Sequence, residues 1–399
     1  MSALNNLKTD AQYALNPARR RVMGIVFLLV AVFIWLFFSQ TTNSSLLTTF
    51  KLSLPTSSVV TPDLIFPTLT SLNIAAVFCA MIGAYQLIRG FGKSTNIYLG
   101  LVAGILVFSF LSWGSGGGSI NLTGLLNIMV TRAIPLTIGA LAGILSERAG
   151  VFNIAIEGMM LSAAFVASVV ASLTNLWIGM LAAILTGGLL GIVHAILSIK
   201  YKVNQIISGT IINIFSTGIT SYLSNKFIQK VEFQYLNSSG FFEPFEIPVL
   251  SKIPIFGPIF FNQNIFVYIM YVLVVVMTVA LFYTRWGLRL RSVGEHPKAA
   301  DTLGINVFKT RYMAVILGGM MAGLGGAYFT IGSTGFFNNV MTSGRGFIAL
   351  AAMIFGKWTP IGSFGSGLLF GFAEAFGVTS RRGALVGGGR GTSSQPPGR

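Results

Sequence analysis

Few residues in this chain could do chemistry. Its 399 residues include 26 Lys or Arg, 10 Asp or Glu, 2 His and 1 Cys. The two histidines, His194 and His296, are far apart and neither stands in a ligand-spaced cluster, while Cys79 lies inside an apolar run. A metal centre or a disulfide framework within the chain is therefore not expected. No His/Asp cluster, nucleophile elbow or metal spacing marks an enzyme either. What remains is a set of single ionisable residues nearest the apolar runs: Arg132, Glu157, His194, Arg345 and Glu374. A charge facing lipid costs several kcal/mol, so each of them is a functional candidate. Arg132 stands near the middle of the run Thr123–Leu145 and is expected to face protein or water, where an ion pair with a carboxylate or a contact with a substrate would satisfy it equally well. Glu157 and Arg345 lie closer to the ends of their runs, where snorkelling to the membrane surface is the simpler alternative.

Two short stretches invite a chemical reading. SERAGVFNIAIEGMM (146–160) joins two apolar runs through small, polar and acidic residues in place of an ordinary turn. Asn153 and Glu157 in it could offer hydrogen bonds to a polar solute, or they could satisfy backbone groups left free by the irregular path. Gly92-Lys93-Ser94-Thr95 imitates the end of a phosphate-binding loop, but the glycine that the full pattern needs is Leu87, and a membrane span, not a strand, precedes it. Lys93 is better explained as a charge flanking a span.

The elements that must position these residues are membrane helices. The chain is 53% hydrophobic with a mean hydropathy of +0.77, more apolar surface than a water-soluble globule could hide. The formal charge of +16 would suggest nucleic acid in a soluble protein. Here many of the positive residues flank apolar runs, and topology explains them without a nucleic-acid partner. Arg19-Arg20-Arg21 precedes Val22–Phe38, which reads as an uncleaved first helix with a cytoplasmic N-terminus. Further spans are expected over Leu64–Ile88, Tyr98–Trp113, Thr123–Leu145, Gly158–Leu173, Trp177–Ile199, Asn204–Ser224, Ile265–Thr284, Tyr312–Ile331 and Ile361–Phe376. Gly344–Trp358 is too short for an easy crossing, which takes about 20 residues, and reads as a half-helix turning back inside the protein. The expectation is an all-α polytopic membrane protein with about 10–11 transmembrane segments. Asn225–Gln263 is its largest external loop. Gly pairs four apart (139/143, 187/191, 319/323, 367/371) let helices approach closely, for packing or for a gating motion.

The most polar interior stretch is Arg285–Arg311, with six Lys/Arg and the carboxylates Glu295 and Asp301 between apolar runs. Positive charge stays on the cytoplasmic side, so this is expected to be a cytoplasmic loop. Within it His296-Pro297 can open a short helix that Gly304 ends.

Three blocks in order, SERAGVFNIAIEGMM, GLRLRSVGEHPKAADTLGINVFKTRYMA and GRGFIALAAMIFGKWTPIGSFGSGLLFGF, resemble the nucleoside-type branch of bacterial ABC-transporter permeases, which belongs with the ribose-type and branched-chain amino-acid permeases. The resemblance covers about Thr123 to Phe376. It implies the ABC importer permease fold in the cell membrane, a second permease chain, identical or homologous, a cytoplasmic ATPase subunit and an external solute-binding lipoprotein. It also implies that Arg291 to Gly304 is the coupling helix, with Gly294, Glu295, Lys298, Ala299, Ala300 and Gly304 at matching positions, and that Asn153 and Glu157 sit beside the translocation route, for which Arg132 is a further candidate. Residues 1–122 then form an N-terminal extension of three spans and 123–376 the permease core. Residues 377–399 turn abruptly to Gly, Arg, Ser and Pro where the family usually has a further apolar segment, and read as a disordered or frame-shifted tail.

The function expected from all this is import of a polar small molecule, a nucleoside first, with ATP hydrolysed on another polypeptide and no cofactor on this chain. A ribose-like sugar or an amino acid is the main alternative substrate. An ion-coupled secondary transporter is the alternative class, although no internal repeat stands out.

Overall fold

The computed structural model describes residues 17–54 and 61–387. The polar start of the chain and the end of the expected tail lie outside them. Two compact units part between Thr123 and Gly124.

The first unit is built on three long helices: α1 (Pro17–Phe33, continued by a π-helical turn to Ser39), α2 (Thr68–Ile88) and α3 (Thr95–Gly114). Phe27, Ile34, Leu72, Cys79 and Val102 form its core. Between the helices lies a small sheet of order β2-β1-β3, made by β2 (Leu64–Pro67), β1 (Leu47–Lys51) and β3 (Ser119–Asn121). β1 runs antiparallel to β2, with Thr48 opposite Phe66, and parallel to β3, with Thr49 opposite Ser119. In β1 alternate side chains Thr48 and Phe50 point inward, the period-2 pattern of a half-buried strand. Leu64–Pro67 is therefore strand where the hydropathy pattern begins a helix; Pro67, extended at ψ 121°, marks the change. Gly92–Ser94 is one tight turn between two spans, not a phosphate loop.

The second unit carries α4 (from Leu122 to Arg148), α5 (Ile156–Leu173), α6 (Leu176–Ala195), α7 (Gln205–Leu223), α8 (Ile265–Tyr283), α9 (Arg285–Glu295), α10 (Pro297–Thr302), α11 (Val307–Phe329), α12 (Arg345–Phe355) and α13 (Pro360–Gly387). Among the described residues ten helices are long and apolar enough to cross a membrane, and Arg345–Phe355 is a shorter apolar helix beside them. This is an all-α multi-pass membrane protein. The closing helix continues past the apolar run that ends at Phe376, as far as Gly387.

Helix α5 packs against α6, α7 and α11 through alanines that are fully buried, among them Ala163, Ala164 and Ala167. Helices α6 and α11 meet backbone to backbone. A Cβ at Gly187 would meet the Gly319 carbonyl and the Gly323 backbone, and one at Gly323 would meet the Ala183 carbonyl. Lipid supplies no hydrophobic drive between helices, so contact at this range gains dispersion energy that bulkier residues would forfeit.

The loop after α7 folds over one end of the unit. It contains a 3₁₀ stretch, Val231–Asn237, and the two-residue strands β4 (Phe245–Glu246) and β5 (Asn262–Gln263), paired antiparallel. Asn237 fixes it: Oδ1 accepts from the Ser168 hydroxyl (2.8 Å) and the Phe337 N–H (2.6 Å), and Nδ2 donates to the Phe337 carbonyl (3.0 Å).

Candidate functional site

Two non-helical paths lie between the helices of the second unit, and backbone of that kind needs a partner for every polar group. The first runs from Arg148 to Ile156. Its accounting is nearly complete. Gln205 Oε1 accepts the Phe152 N–H at 2.7 Å, and the Val151 N–H reaches the Ser146 carbonyl at 3.0 Å. Asn213 accepts the Gly158 N–H at 2.8 Å and donates to the Ile154 carbonyl at 3.0 Å. His194, fully buried, has Nε2 3.2 Å from the Phe152 carbonyl and Nδ1 3.1 Å from the Ser208 hydroxyl. A carbonyl can only accept, so Nε2 carries the proton and Nδ1 accepts from Ser208. His194 is thus a strut between this path and α7.

Asn153 is also fully buried. Its Oδ1 accepts the Ala155 N–H at 3.0 Å, and its amide faces the Met159 sulfur at 3.8 Å. These contacts satisfy the local backbone.

The second path is Gly335–Gly344, between the extension of α11 and the start of α12. Gly335 and Gly344 both sit in the left-handed region, at φ 81° and 80°. Helix α12 has 11 residues, about 16 Å at 1.5 Å per residue, half of a hydrocarbon core of roughly 30 Å. The half-helix expected from the sequence is present, and its N-terminus is held inside the protein by Glu157. That carboxylate accepts the Thr342 hydroxyl at 2.6 Å and the Gly344 N–H at 2.8 Å on Oε1, and the Gly346 N–H on Oε2. Glu157 is 8% exposed, so it does not snorkel. An anion at a helix N-terminus offsets both the unpaired N–H groups and the positive end of the dipole.

Next to this start lies an ionic centre. Arg345 sends Nη2 to Glu374 Oε1 and Nε to Glu374 Oε2 (3.4 Å), while Arg132 Nη1 reaches Glu374 Oε1 at 3.4 Å. The Arg345 guanidinium also lies 5.5 Å from the centre of the Phe329 ring. Helices α4, α12 and α13 meet here. Pro135, one turn along α4 from Arg132, lacks the N–H that would pair with the Thr131 carbonyl.

The cationic segment forms two helices in place of the single coupling helix that the family resemblance implies over Arg291–Gly304. The break is at His296 (φ −145°, ψ 81°), because Pro297 disfavours helical geometry in the residue before it. The Thr284 hydroxyl caps α9 by accepting the Gly287 N–H at 3.1 Å. His296 Nδ1 caps α10 by accepting the Ala299 N–H at 3.3 Å. Gly304 ends it at φ 79°. The Arg291 guanidinium lies over Phe282 at 5.1 Å. Ala300 is buried, whereas Glu295, Lys298, Ala299 and Gly304 are exposed. Leu303 and Phe308 stand exposed beside them. Gly294 packs inward, where a Cβ would collide with the Arg148 carbonyl and press on the Gly150 nitrogen. Arg311 Nε donates to the Ala149 carbonyl at 3.2 Å.

The same end of the unit holds the turn after α12. Lys357 and Trp358 have φ of 53° and 52°, costly for residues with side chains. Arg148 donates to the Trp358 carbonyl through Nη2 (3.0 Å), and the Trp358 indole N–H donates to Glu147. Thr342, Asn213, Glu147 and Trp358 carry these links, and none could be singled out from sequence, since their partners lie 55 to 211 positions away.

Residues 125–381 match a family described as the permease component of the branched-chain amino acid transport system. The guanosine ABC transporter permease protein NupQ of Bacillus subtilis is 41% identical over 62% of this chain and 79% of its own length. The nucleoside ABC transporter permease protein NupC of Lactococcus lactis is 38% identical over 65% of this chain and 84% of its own. The glucose ABC transporter permease protein TsgB13 of Haloferax volcanii is 29% identical over 62% and 67%. No solved structure matches the chain. With an exposed two-helix element at one end of the unit, a carboxylate-capped half-helix within it and this extent of similarity, the chain belongs to the branched-chain amino acid transport system permease family.

Proposed function

We propose that this chain is the membrane-spanning subunit of an ABC importer that admits a nucleoside, driven by ATP hydrolysed on a separate subunit. The names of the guanosine and nucleoside permeases support the substrate class. In this reading the cytoplasmic ATPase docks on α9 and α10 through Glu295, Lys298, Ala299 and Gly304, a second permease chain completes the pathway, and a solute-binding lipoprotein delivers ligand from outside. The chain performs no covalent chemistry and needs no cofactor or metal.

The observation that carries the mechanism is a continuous chain of short contacts. Gly294 presses on the turn at Arg148–Gly150, that turn leads through the pinned path Val151–Ala155 to Glu157, and Glu157 holds the start of α12 beside the Arg132–Glu374–Arg345 centre. A displacement of α9 is passed along packed backbone to the half-helix. ATP binding favours one arrangement of these elements and nucleotide release the other, by differential affinity. Arg132 and Glu157 are pathway residues here, Arg132 by facing open space and Glu157 by fixing the half-helix. The N-terminal unit is an extension outside the family match, and the N-terminus and the α9–α10 element are cytoplasmic, as the clustering of Lys and Arg favours.

The test is reconstitution of the chain with its ATPase, second permease chain and lipoprotein in cells lacking nucleoside uptake. Labelled guanosine should enter only when the ATPase can hydrolyse ATP. Import by this chain with no ATPase present would refute the reading.

A further inference from the structure

Three cavities adjoin along the broken segment Gly335–Gly344. The first, about 660 Å³, is walled by Gln229, Gln234, Tyr235, Asn237, Phe336 and Asn338. The second, about 140 Å³, is walled by Arg132, Pro135, Tyr328, Phe329, Asn338 and Arg345. The third, about 360 Å³, includes Leu136, Ile348, Phe370, Glu374 and Arg345. Asn338 borders the first two and Arg345 the last two, so the second lies between a chamber of amides and aromatic rings and one of mostly apolar wall. At its present volume it is below the roughly 300 Å³ of pockets that hold whole small molecules, which makes it the constriction of the series.

The charged groups around that constriction are not equally engaged. Glu157 is committed to the start of α12. Arg345 spends its fork on Glu374 and its remaining Nη1 on the Met341 carbonyl at 3.4 Å. Arg132 has five N–H donors and, among the described residues, a single polar contact, at 3.4 Å, and its side chain is 38% exposed. None of its nitrogens is among the buried unpartnered atoms, so the remaining donors face open space. The walls beside them, Tyr328, Phe329 and Pro135, are flat and largely apolar. A planar cationic fork next to aromatic wall suits a flat heterocycle that presents two neighbouring acceptors on one edge.

Resting on the nucleoside reading above, we propose that Arg132 is a specificity residue that reads the O6 and N7 acceptors of a 6-oxopurine base as it passes the constriction. Arginine pairs with that edge in two parallel hydrogen bonds, whereas a 6-aminopurine turns a donor toward it. Arg345 and Glu374 are positioning residues: Arg345 fixes Glu374, and Glu374 holds Arg132 by one nitrogen and leaves the rest of the fork free.

The experiment is competition for uptake in the complete transporter among guanosine, adenosine and 7-deazaguanosine, which lacks the N7 acceptor. The lipoprotein is the same in every variant, so a change in the ratios belongs to the permease. Wild type is expected to favour guanosine over 7-deazaguanosine by about 5- to 150-fold, the range of one bidentate base contact. Arg132→Lys, a point charge without a fork, should bring that ratio close to one while uptake of adenosine persists. A ratio unchanged by Arg132→Lys, or a wild type that imports nucleosides without distinguishing the two guanosines, overturns the proposal. If Arg132→Lys fails to reach the membrane, Glu374→Gln takes its place: releasing Arg132 from its partner should shift the ratio at least twofold, and an unmoved ratio again overturns it. A wild type that imports a sugar and no nucleoside refutes the proposed function itself, a result distinct from either.

Discussion

Glu157 and Gly346 are bound head to head: the carboxylate at the start of α5 accepts the N–H at the start of α12, and a methyl group on Gly346 would collide with the Glu157 backbone. Two helix N-termini therefore converge on one anion, and the partial positive charge of each favours it. Glu157→Gln keeps the shape but turns an N–H donor toward an N–H donor. It is expected to remove about 1.5–3 kcal/mol, the worth of hydrogen bonds to a charged group, and to lower both the melting temperature of the purified protein and uptake. Unchanged melting and unchanged uptake would show that the carboxylate is not what holds α12.

The two faces of the α9–α10 element should fail in different ways. Gly294→Ala forces a Cβ into the Arg148 carbonyl and is expected to destabilise by roughly 1–3 kcal/mol through overpacking, read as a lower melting temperature. Glu295 is exposed, so Glu295→Lys should leave melting unaltered and reduce recovery of the ATPase on the purified permease about tenfold, a difference of about 1.4 kcal/mol. Full recovery of the ATPase with Glu295→Lys would take the docking role away from this face.

Asn153→Ala strips the acceptor from the Ala155 N–H in a fully buried setting. The expected outcome is a loss of about 1–3 kcal/mol in stability with the half-saturating nucleoside concentration unaltered. A changed half-saturation at normal stability would instead put Asn153 in contact with the solute.

Orientation is open to labelling, since Cys79 is the chain's one cysteine and is buried. With a thiol reagent that cannot cross the membrane, Gln234→Cys should react in intact cells and Lys298→Cys only after the cells are opened. Both positions are exposed, so the reverse pattern would invert the proposed topology.

The spans were legible in sequence because each is a long apolar run, and bilayer thickness sets its length. The half-helix at Arg345 was legible for the same reason in reverse: its run falls short of a crossing. The cap at His296-Pro297 was readable because proline restricts its neighbour locally. What stayed hidden depends on distant partners. Nothing near Glu157 announces that it will meet Gly344 and Gly346, and the apolar runs around Glu374 give no sign that two arginines from other helices share it. The small sheet of the first unit is not legible, because three strands of five residues or fewer leave little periodicity to read.

Helices α6 and α11 touch through Gly187, Gly191, Gly319 and Gly323, main chain against main chain, with no layer of side chains between them to repack. Backbone packed this closely leaves no room for one helix to slide past the other, so any change of shape that keeps this contact carries the two together as a single plank. Bending then falls to the joint beyond the plank's end, where Gly335 and Gly344 already interrupt the helical ladder on either side of a ten-residue elbow.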